Sequence, residues 1–158
     1  MEISIRNARL EDYEAISNLY IGLHELHVEK RPEYYKNANE IISFEDFEGC
    51  LLSDSIEVFV AVDESESVIG FVEFKIINNS ESLVVKRKSI LYMNALVVDE
   101  NHRKKGIAKR LFNSIIEYGK KKSVNAVELN VWAFNRGAID FYQEMNMEVK
   151  NIRYEMLI

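Results

Sequence analysis

Apolar and polar positions alternate along this chain with two periods, and the switches between them mark out the elements. "EISIR" at residues 2–6 alternates with the period of two expected of a strand half-buried in a sheet. Tyr13, Ile16, Leu19, Tyr20, Leu23 and Leu26 then recur at spacings of three and four, which predicts an amphipathic helix that stops before Pro32. Residues 43–53, "SFEDFEGCLLS", open on a serine cap and carry Phe44, Phe47 and Leu51 at helical spacing, so a shorter second helix with a narrow core face is expected. Three β-rich segments follow: "IEVFVAV", "VIGFVEFKII" and "KSILYMNALVV", separated by polar "DESES" and "NNSESL", most simply read as adjacent antiparallel strands. From Gly106 the period changes again. Ile107, Leu111, Ile115 and Tyr118 mark a helix ending in the lysines of "GKKKS", which suit the negative end of its dipole. "AVELNVWAF" reads as a strand, "NRGAIDFYQEMNM" as a helix with an asparagine cap and Ala138, Phe141, Tyr142 and Met145 on one side, and "MEVKNIRYEMLI" as a closing strand. The order βααβββαβαβ(β) describes a mixed sheet covered by helices.

Composition narrows what such a sheet can serve. The 158 residues are 47% hydrophobic and 29% charged, enough for one packed domain over residues 1–158 and too few to expect two. Pro32 is the only proline and the six glycines are scattered, so no linker divides the chain. The net charge of -6 argues against nucleic-acid or membrane binding driven by total charge. A single cysteine, Cys50, excludes an internal disulfide and a cysteine metal cluster; its bland role is that of a small buried hydrophobe. No secretory leader or membrane-spanning run is apparent, and a reducing cytoplasm is the expected location. His24 and His27 in "HELH" are three apart rather than four, and no third ligand is evident, so no metal is expected.

Against this acidic background, "DENHRKKGIAKRLFNSII" at residues 99–116 gathers Arg103, Lys104, Lys105, Lys109 and Arg110 around one glycine. The stretch follows a strand and opens a helix, so its backbone N–H groups are free to point outward. Gly106 lets a phosphate approach the backbone, and the cations add positive potential. The reading is an anion site, against the blander one of a solvated helix start. No P-loop spacing and no G-x-G-x-x-G occurs, which removes the best support for nucleoside triphosphate or dinucleotide binding.

"RKKGIA" resembles the R/Q-x-x-G-x-G/A signature of the GNAT superfamily of N-acetyltransferases, which binds the pyrophosphate of acetyl-CoA. "LYMNALVVDENH" before it, "LNVWAFNRGAIDFYQEMNM" after it and "IRNARLEDYEAISNLY" at the start are similar to the family's central strand, its later strand with asparagine and F-Y helix, and its first strand and helix. Ala108 stands where many members carry a second glycine, and "EMNME" replaces the usual glycine-phenylalanine after the last helix. The resemblance implies a mixed, mostly antiparallel central sheet of six or seven strands with a splayed parallel pair, flanked by about four helices.

It also implies roles. Acetyl-CoA would be the co-substrate, held by the strand Leu96, Val97 and Val98, by the loop and helix start from Arg103 through Lys104, Lys105, Gly106, Ile107 and Ala108 to Lys109, and by Asn135 and Ala138. Tyr142 matches the tyrosine that protonates the departing thiolate, and Glu73 is the first choice for the base that frees the acceptor amine, directly or through water. The alternatives are core packing for Tyr142, a solvent-facing strand position for Glu73 and a plain helix cap for Asn135. Asn94 stands where relatives often carry an acid and cannot act as a base. His24, His27, Arg31, Tyr34 and Tyr35 fall in the lid over the acceptor; seven acids against three Lys or Arg from His24 to Glu48 hint at a cationic acceptor, as a solvated helix face also would. The implied function is transfer of an acetyl group to a primary amine, on a small molecule or a peptide, with no nucleic-acid or membrane partner and with a homodimer as the family's frequent state. The competing reading is a non-catalytic acyl-CoA-binding regulatory module.

Overall fold

The computed structural model describes residues 2–158. Strand β1 (Ser4–Asn7) leads through a 3-10 turn at Leu10–Asp12 into helix α1 (Tyr13–Lys30). Helix α2 (Phe44–Leu52) follows, capped by Ser43 Oγ, which accepts from the Asp46 amide at 3.1 Å. Strands β2 (Ile56–Val62), β3 (Val68–Asn78) and β4 (Ser89–Val98) form an antiparallel meander. Helix α3 (Ile107–Lys121), strand β5 (Ala126–Leu129) and helix α4 (Arg136–Glu144) complete the regular elements. The sheet order is β1-β2-β3-β4-β5, antiparallel except for the parallel β4–β5 pair.

The sheet divides two cores. On one face Phe71, Val60 and Val58 meet Ile16 of α1 and Phe47 of α2; on the other Val72, Phe74, Leu91 and Met93 meet Ile107, Leu111, Phe112 and Ile115 of α3, with Phe141, Tyr142 and Met145 of α4 at its border. Burying such a side chain contributes roughly 1.5–3 kcal/mol, so the helical stripes read from the sequence are what fasten the helices to the sheet.

Two features of the sheet position the site. Glu73 pairs with Ala95 and Phe74 with Met93, so Asn94 is an extra residue in β4, a β-bulge. Its effect is a change of phase: Leu91 and Met93 face the α3 core, but beyond the bulge Leu96 and Val98 take over that face while Ala95 and Val97 turn to the α1 core. The parallel pairing with β5 also ends here, at Met93 opposite Leu129, leaving Asn94–Val98 with β3 alone.

Three expectations are corrected. The sheet has five strands among the described residues rather than six or seven, and "AVELNVWAF" is a strand only over Ala126–Leu129. Beyond Leu129 the chain turns, with the Asn135 amide donating to the Trp132 carbonyl at 2.9 Å, and the side chains of 130–134 contact neighbouring segments instead of extending the ladder. Residues 147–158 keep their alternating pattern but form no strand: no sheet edge pairs with them, and Val149, Ile152, Tyr154, Met156 and Leu157 are exposed. Side chains tie this segment down, Lys150 to Glu128 and Arg31 Nη2 to Glu155 Oε2 at 2.6 Å. No helix among the described residues is long and apolar enough to cross a membrane.

Candidate active site

The basic loop is built on Asp99, whose Oδ1 accepts from the Asn101 amide at 3.0 Å and pairs with His102 Nδ1 at 2.8 Å, while the Asp99 amide donates to the Ile69 carbonyl at 3.0 Å. The chain then passes through two left-handed residues, Lys104 at φ 60° and Gly106 at φ 79°, and enters α3. Gly106 is the N-cap and no side chain caps the helix, so the amides of its first turn lack intrahelical partners. A Cβ on Gly106 would meet no atom within 4 Å, so the space before these amides is open. Ile107 is 1% exposed and anchors the turn in the core, whereas Arg103, Lys104, Lys105, Lys109 and Arg110 lie at the surface with Ala108 half-buried between them. Free amides, a left-handed glycine and unburied cations together make a cradle that fits a pyrophosphate.

Beside the cradle lies the stretch of β4 that β5 has left. Leu96, Val97 and Val98 are held by β3 on one side, opposite Val72, Phe71 and Gly70, and have no strand on the other. Gly70 is required for this pairing, since a Cβ there would lie 2.9 Å from the Val97 carbonyl oxygen. At the start of α4, Asn135 Oδ1 accepts from the Ala138 amide at 3.2 Å and caps the helix. Tyr142, on the same helix, packs against Phe141 and Phe112 with ring centroids 5.3 and 6.4 Å apart. Its hydroxyl has no partner among the described residues and is not sealed from solvent, and burial of the ring pushes the phenol up to about 12.

Glu73 points to the α1 side of the sheet. Tyr20 Oη donates to Glu73 Oε2 at 2.6 Å and Asn94 Nδ2 donates to Glu73 Oε1 at 2.8 Å. Burial and then the negative charge of Glu73 drive the Tyr20 phenol far above its ordinary range, so it remains a donor at any working pH. Cys50 belongs to the same neighbourhood: burial, and then the charges of Glu73 and Asp46, push its thiol up and keep it protonated.

Beyond Tyr20, α1 carries His24 and His27 and ends at its C-cap Arg31. His24 Nε2 donates to the Lys36 carbonyl at 2.7 Å, and His27 stacks on Tyr35 at 5.2 Å. Burial, and then the neighbouring His24, hold the His27 imidazole below the usual histidine range, favouring its neutral form. Arg31 lies 4.7 Å over the Trp132 ring while bound to Glu33 and Glu155, and Trp132 Nε1 donates to Tyr35 Oη at 2.9 Å. Tyr34 touches both Tyr35 and Trp132, and Phe134 stacks on Trp132 at 5.9 Å. The expected lid residues are thus brought together, but Tyr20 and Trp132 are additions: Tyr20 reads in the sequence as one more position of a core stripe, and Trp132 as one more residue of a strand. Of the acids counted between His24 and Glu48, Glu33 pairs with Arg31 beside this cluster, whereas Glu29 pairs with Lys30, Glu40 accepts from Tyr13, and Asp46 serves the α2 cap. Among the described residues no group of three His, Cys, Asp or Glu side chains is placed to hold a metal ion.

Comparison with known proteins adds to this geometry. The profile of the family described as "Acetyltransferase (GNAT) family" matches residues 20–147. A curated relative, the N-acetyltransferase MJ1207 of Methanocaldococcus jannaschii, is 35% identical over 68 residues, which span 43% of this chain and 30% of that protein. A mutant form of the BH1408 protein from Bacillus halodurans is similar in structure, with a TM-score of 0.96 and 29% identity over 98% of this chain and 99% of that one. The protein AAC(6')-Iy, solved with the bisubstrate analogue CoA-S-monomethyl-acetylneamine, superposes with a TM-score of 0.73 and 19% identity over the full length of both chains, a likeness of fold.

Proposed function

The chain belongs to the Acetyltransferase (GNAT) family, an acyltransferase by that membership, and we propose that it moves the acetyl group of acetyl-CoA to a primary amine by direct attack, with both substrates bound together. The family match carries this reading, because the matched residues 20–147 include the Gly106 cradle, Glu73, Asn135 and Tyr142. Acetyl-CoA supplies the activated acetyl group as a thioester.

The chain's own residues divide the remaining work. The amides from Gly106 onward and the cations Arg103, Lys104, Lys105 and Lys109 hold the pyrophosphate by charge-assisted hydrogen bonds and dipole. Leu96, Val97 and Val98 offer backbone groups that no strand occupies to the pantetheine arm, and Asn135 and Ala138, at the start of α4, are its other partners in this reading. The open edge beside the bulge also supplies amide donors where negative charge develops on the carbonyl oxygen. Glu73 serves the acceptor. An amine of pKa about 10.4 is almost wholly protonated at pH 7, and freeing its lone pair costs about 4–5 kcal/mol. A carboxylate both attracts the ammonium and receives its proton, directly or through water. Tyr142 gives its proton to the departing sulfur. Burial of the ring raises the phenol to about 12, so it holds its proton at neutral pH until the thiolate forms. His24, His27, Arg31 and Tyr34, with Tyr35 and Trp132, form the wall that selects the acceptor.

Release of free CoA thiol from acetyl-CoA, measured across polyamines, aminoglycosides, amino acids and peptide amines with cofactor affinity in parallel, tests the proposal. Amine-dependent release supports the transferase and names the acceptor class. Tight acetyl-CoA binding with no release for any amine favours the non-catalytic module, and no binding refutes the cradle.

A further inference from the structure

Glu73 differs from an ordinary half-buried carboxylate in what holds it. Such a group is normally paired with a cation, because removing a charge from water costs several kcal/mol unless it is compensated. Glu73 forms no ion pair with Lys, Arg or His among the described residues; its two oxygens are taken one each by neutral donors, the Tyr20 hydroxyl and the Asn94 amide. Neutral donors fix the carboxylate without cancelling its charge.

Each donor is itself fixed by the fold. The Tyr20 ring packs 4.6 Å from Phe71, two residues before Glu73 on β3, and its position on α1 is set by Ile16 and Leu19 in the same core. Asn94 is the extra residue of the bulge, exposed, and opposite the step between Glu73 and Phe74. An exposed amide can be satisfied by water, so burial alone does not require it to donate to Glu73. Two donors on opposite oxygens stop rotation of the carboxylate about its last bond and leave a lone pair on each oxygen free.

We propose that Tyr20 and Asn94 are positioning residues that clamp the Glu73 carboxylate in one orientation, aimed at the acceptor ammonium. The inference rests on the reading of Glu73 as the group that receives the amine's proton. It also explains what an amide does at position 94, since an acid there would lose a donor and set a second negative charge against the first.

The test uses Tyr20→Phe, Asn94→Ala, Asn94→Asp and Glu73→Gln, and the double variant Tyr20→Phe with Glu73→Gln. Initial rates of thiol release from acetyl-CoA are taken with the fastest amine of the panel. Deleting one hydrogen bond to a charged group should lower kcat about 10- to 100-fold, with KM for acetyl-CoA unchanged. Tyr20→Phe should add nothing once Glu73 is Gln, since it acts through that carboxylate. Asn94→Asp should be slower than wild type. If Glu73→Gln retains full turnover, the proton-acceptor reading fails and the clamp has no catalytic role. If Glu73→Gln is slow but Tyr20→Phe is not, or if the two losses multiply, or if Asn94→Asp is faster than wild type, the base stands and the positioning proposal is overturned. The labelled Glu73 carboxyl carbon, followed by NMR, gives a readout independent of any acceptor. Its signal must move in Tyr20→Phe and Asn94→Ala; an unmoved signal overturns the clamp whatever the rates.

Discussion

Replacing Gly106 by alanine separates two consequences that the structure predicts to differ in size. The residue sits at φ 79°, a left-handed conformation costing an ordinary L-residue about 1–2 kcal/mol. Part of that is offset, because alanine narrows the unfolded ensemble by about 0.4–1 kcal/mol relative to glycine. The added Cβ meets no protein atom within 4 Å, so no clash adds to the strain. The net loss of stability should be about 1 kcal/mol, or a fall in Tm of about 2–4 °C for a domain of this size. Ligand affinity should suffer more, since the methyl group would stand in the open space before the free amides of α3. Losing one or two charge-assisted hydrogen bonds to an oxyanion costs about 1.5–3 kcal/mol each, so acetyl-CoA should bind at least about 10-fold more weakly. Thermal melts and calorimetric titration with acetyl-CoA measure the two effects on the same preparations. Gly22→Ala, in the exposed middle of α1 and also free of neighbours, is the control: it should raise stability by about 0.8–1 kcal/mol and leave affinity alone. Wild-type affinity in Gly106→Ala with the expected fall in Tm would refute the placement of the pyrophosphate at this turn.

Other substitutions probe the remaining parts. Gly70→Ala drives a methyl group to 2.9 Å from the Val97 carbonyl oxygen and should cost about 1–3 kcal/mol in urea unfolding, with acetyl-CoA affinity falling as β4 is displaced; an unchanged midpoint would show that the strands part freely there. Tyr142→Phe should reduce kcat about 10- to 100-fold with little change in acetyl-CoA affinity, and an unchanged kcat removes the proton-donor role. At Asp12, 7% exposed, burial opposes ionisation, yet bonds from Arg6 at 2.7 and 3.0 Å and from the Arg9 amide at 2.7 Å outweigh it and hold the carboxyl below its usual range. A depressed carboxyl contributes stability above the unfolded pKa of about 4 and loses it as the pH falls through the folded value. Asp12→Asn should therefore cost about 1.5–3 kcal/mol at pH 7, the worth of a hydrogen bond to a charged group, and flatten the acid side of the stability profile, and a variant that still lost stability as steeply below pH 4 would assign that loss to other carboxylates.

How much of this could be read from the chain depends on whether the deciding contact is local. The helical stripes and the Ser43 and Asn135 caps are local, and α1 to α4 lie where the spacing places them. The anion cradle is local as well, a run of cations and a glycine between a strand and a helix. A strand is not local. Residues 147–158 alternate as convincingly as residues 2–6, but β1 pairs with β2 from Ser4 opposite Val62 onward, whereas the last segment pairs with no strand even though β5 stands at the end of the sheet. The resemblance implies a splayed pair at Leu96–Val98, but the pattern does not place the bulge: "LYMNALVV" is apolar on nearly every residue, so the slip in phase at Asn94 shows only when Leu96 and Val97 are found in opposite cores. Tyr20 and Glu73 are 53 positions apart, and nothing in either neighbourhood announces the other. The bulge, the gap and the Glu73 contact are one event in the fold. The residue inserted at Asn94 ends the phase shared with Met93 where β5 departs, which frees the backbone of Leu96–Val98, and it carries the amide that reaches Glu73. A single added residue thereby ties the gap proposed for the thioester to the carboxylate proposed for the amine, so that the two reacting groups would meet at one point of the sheet.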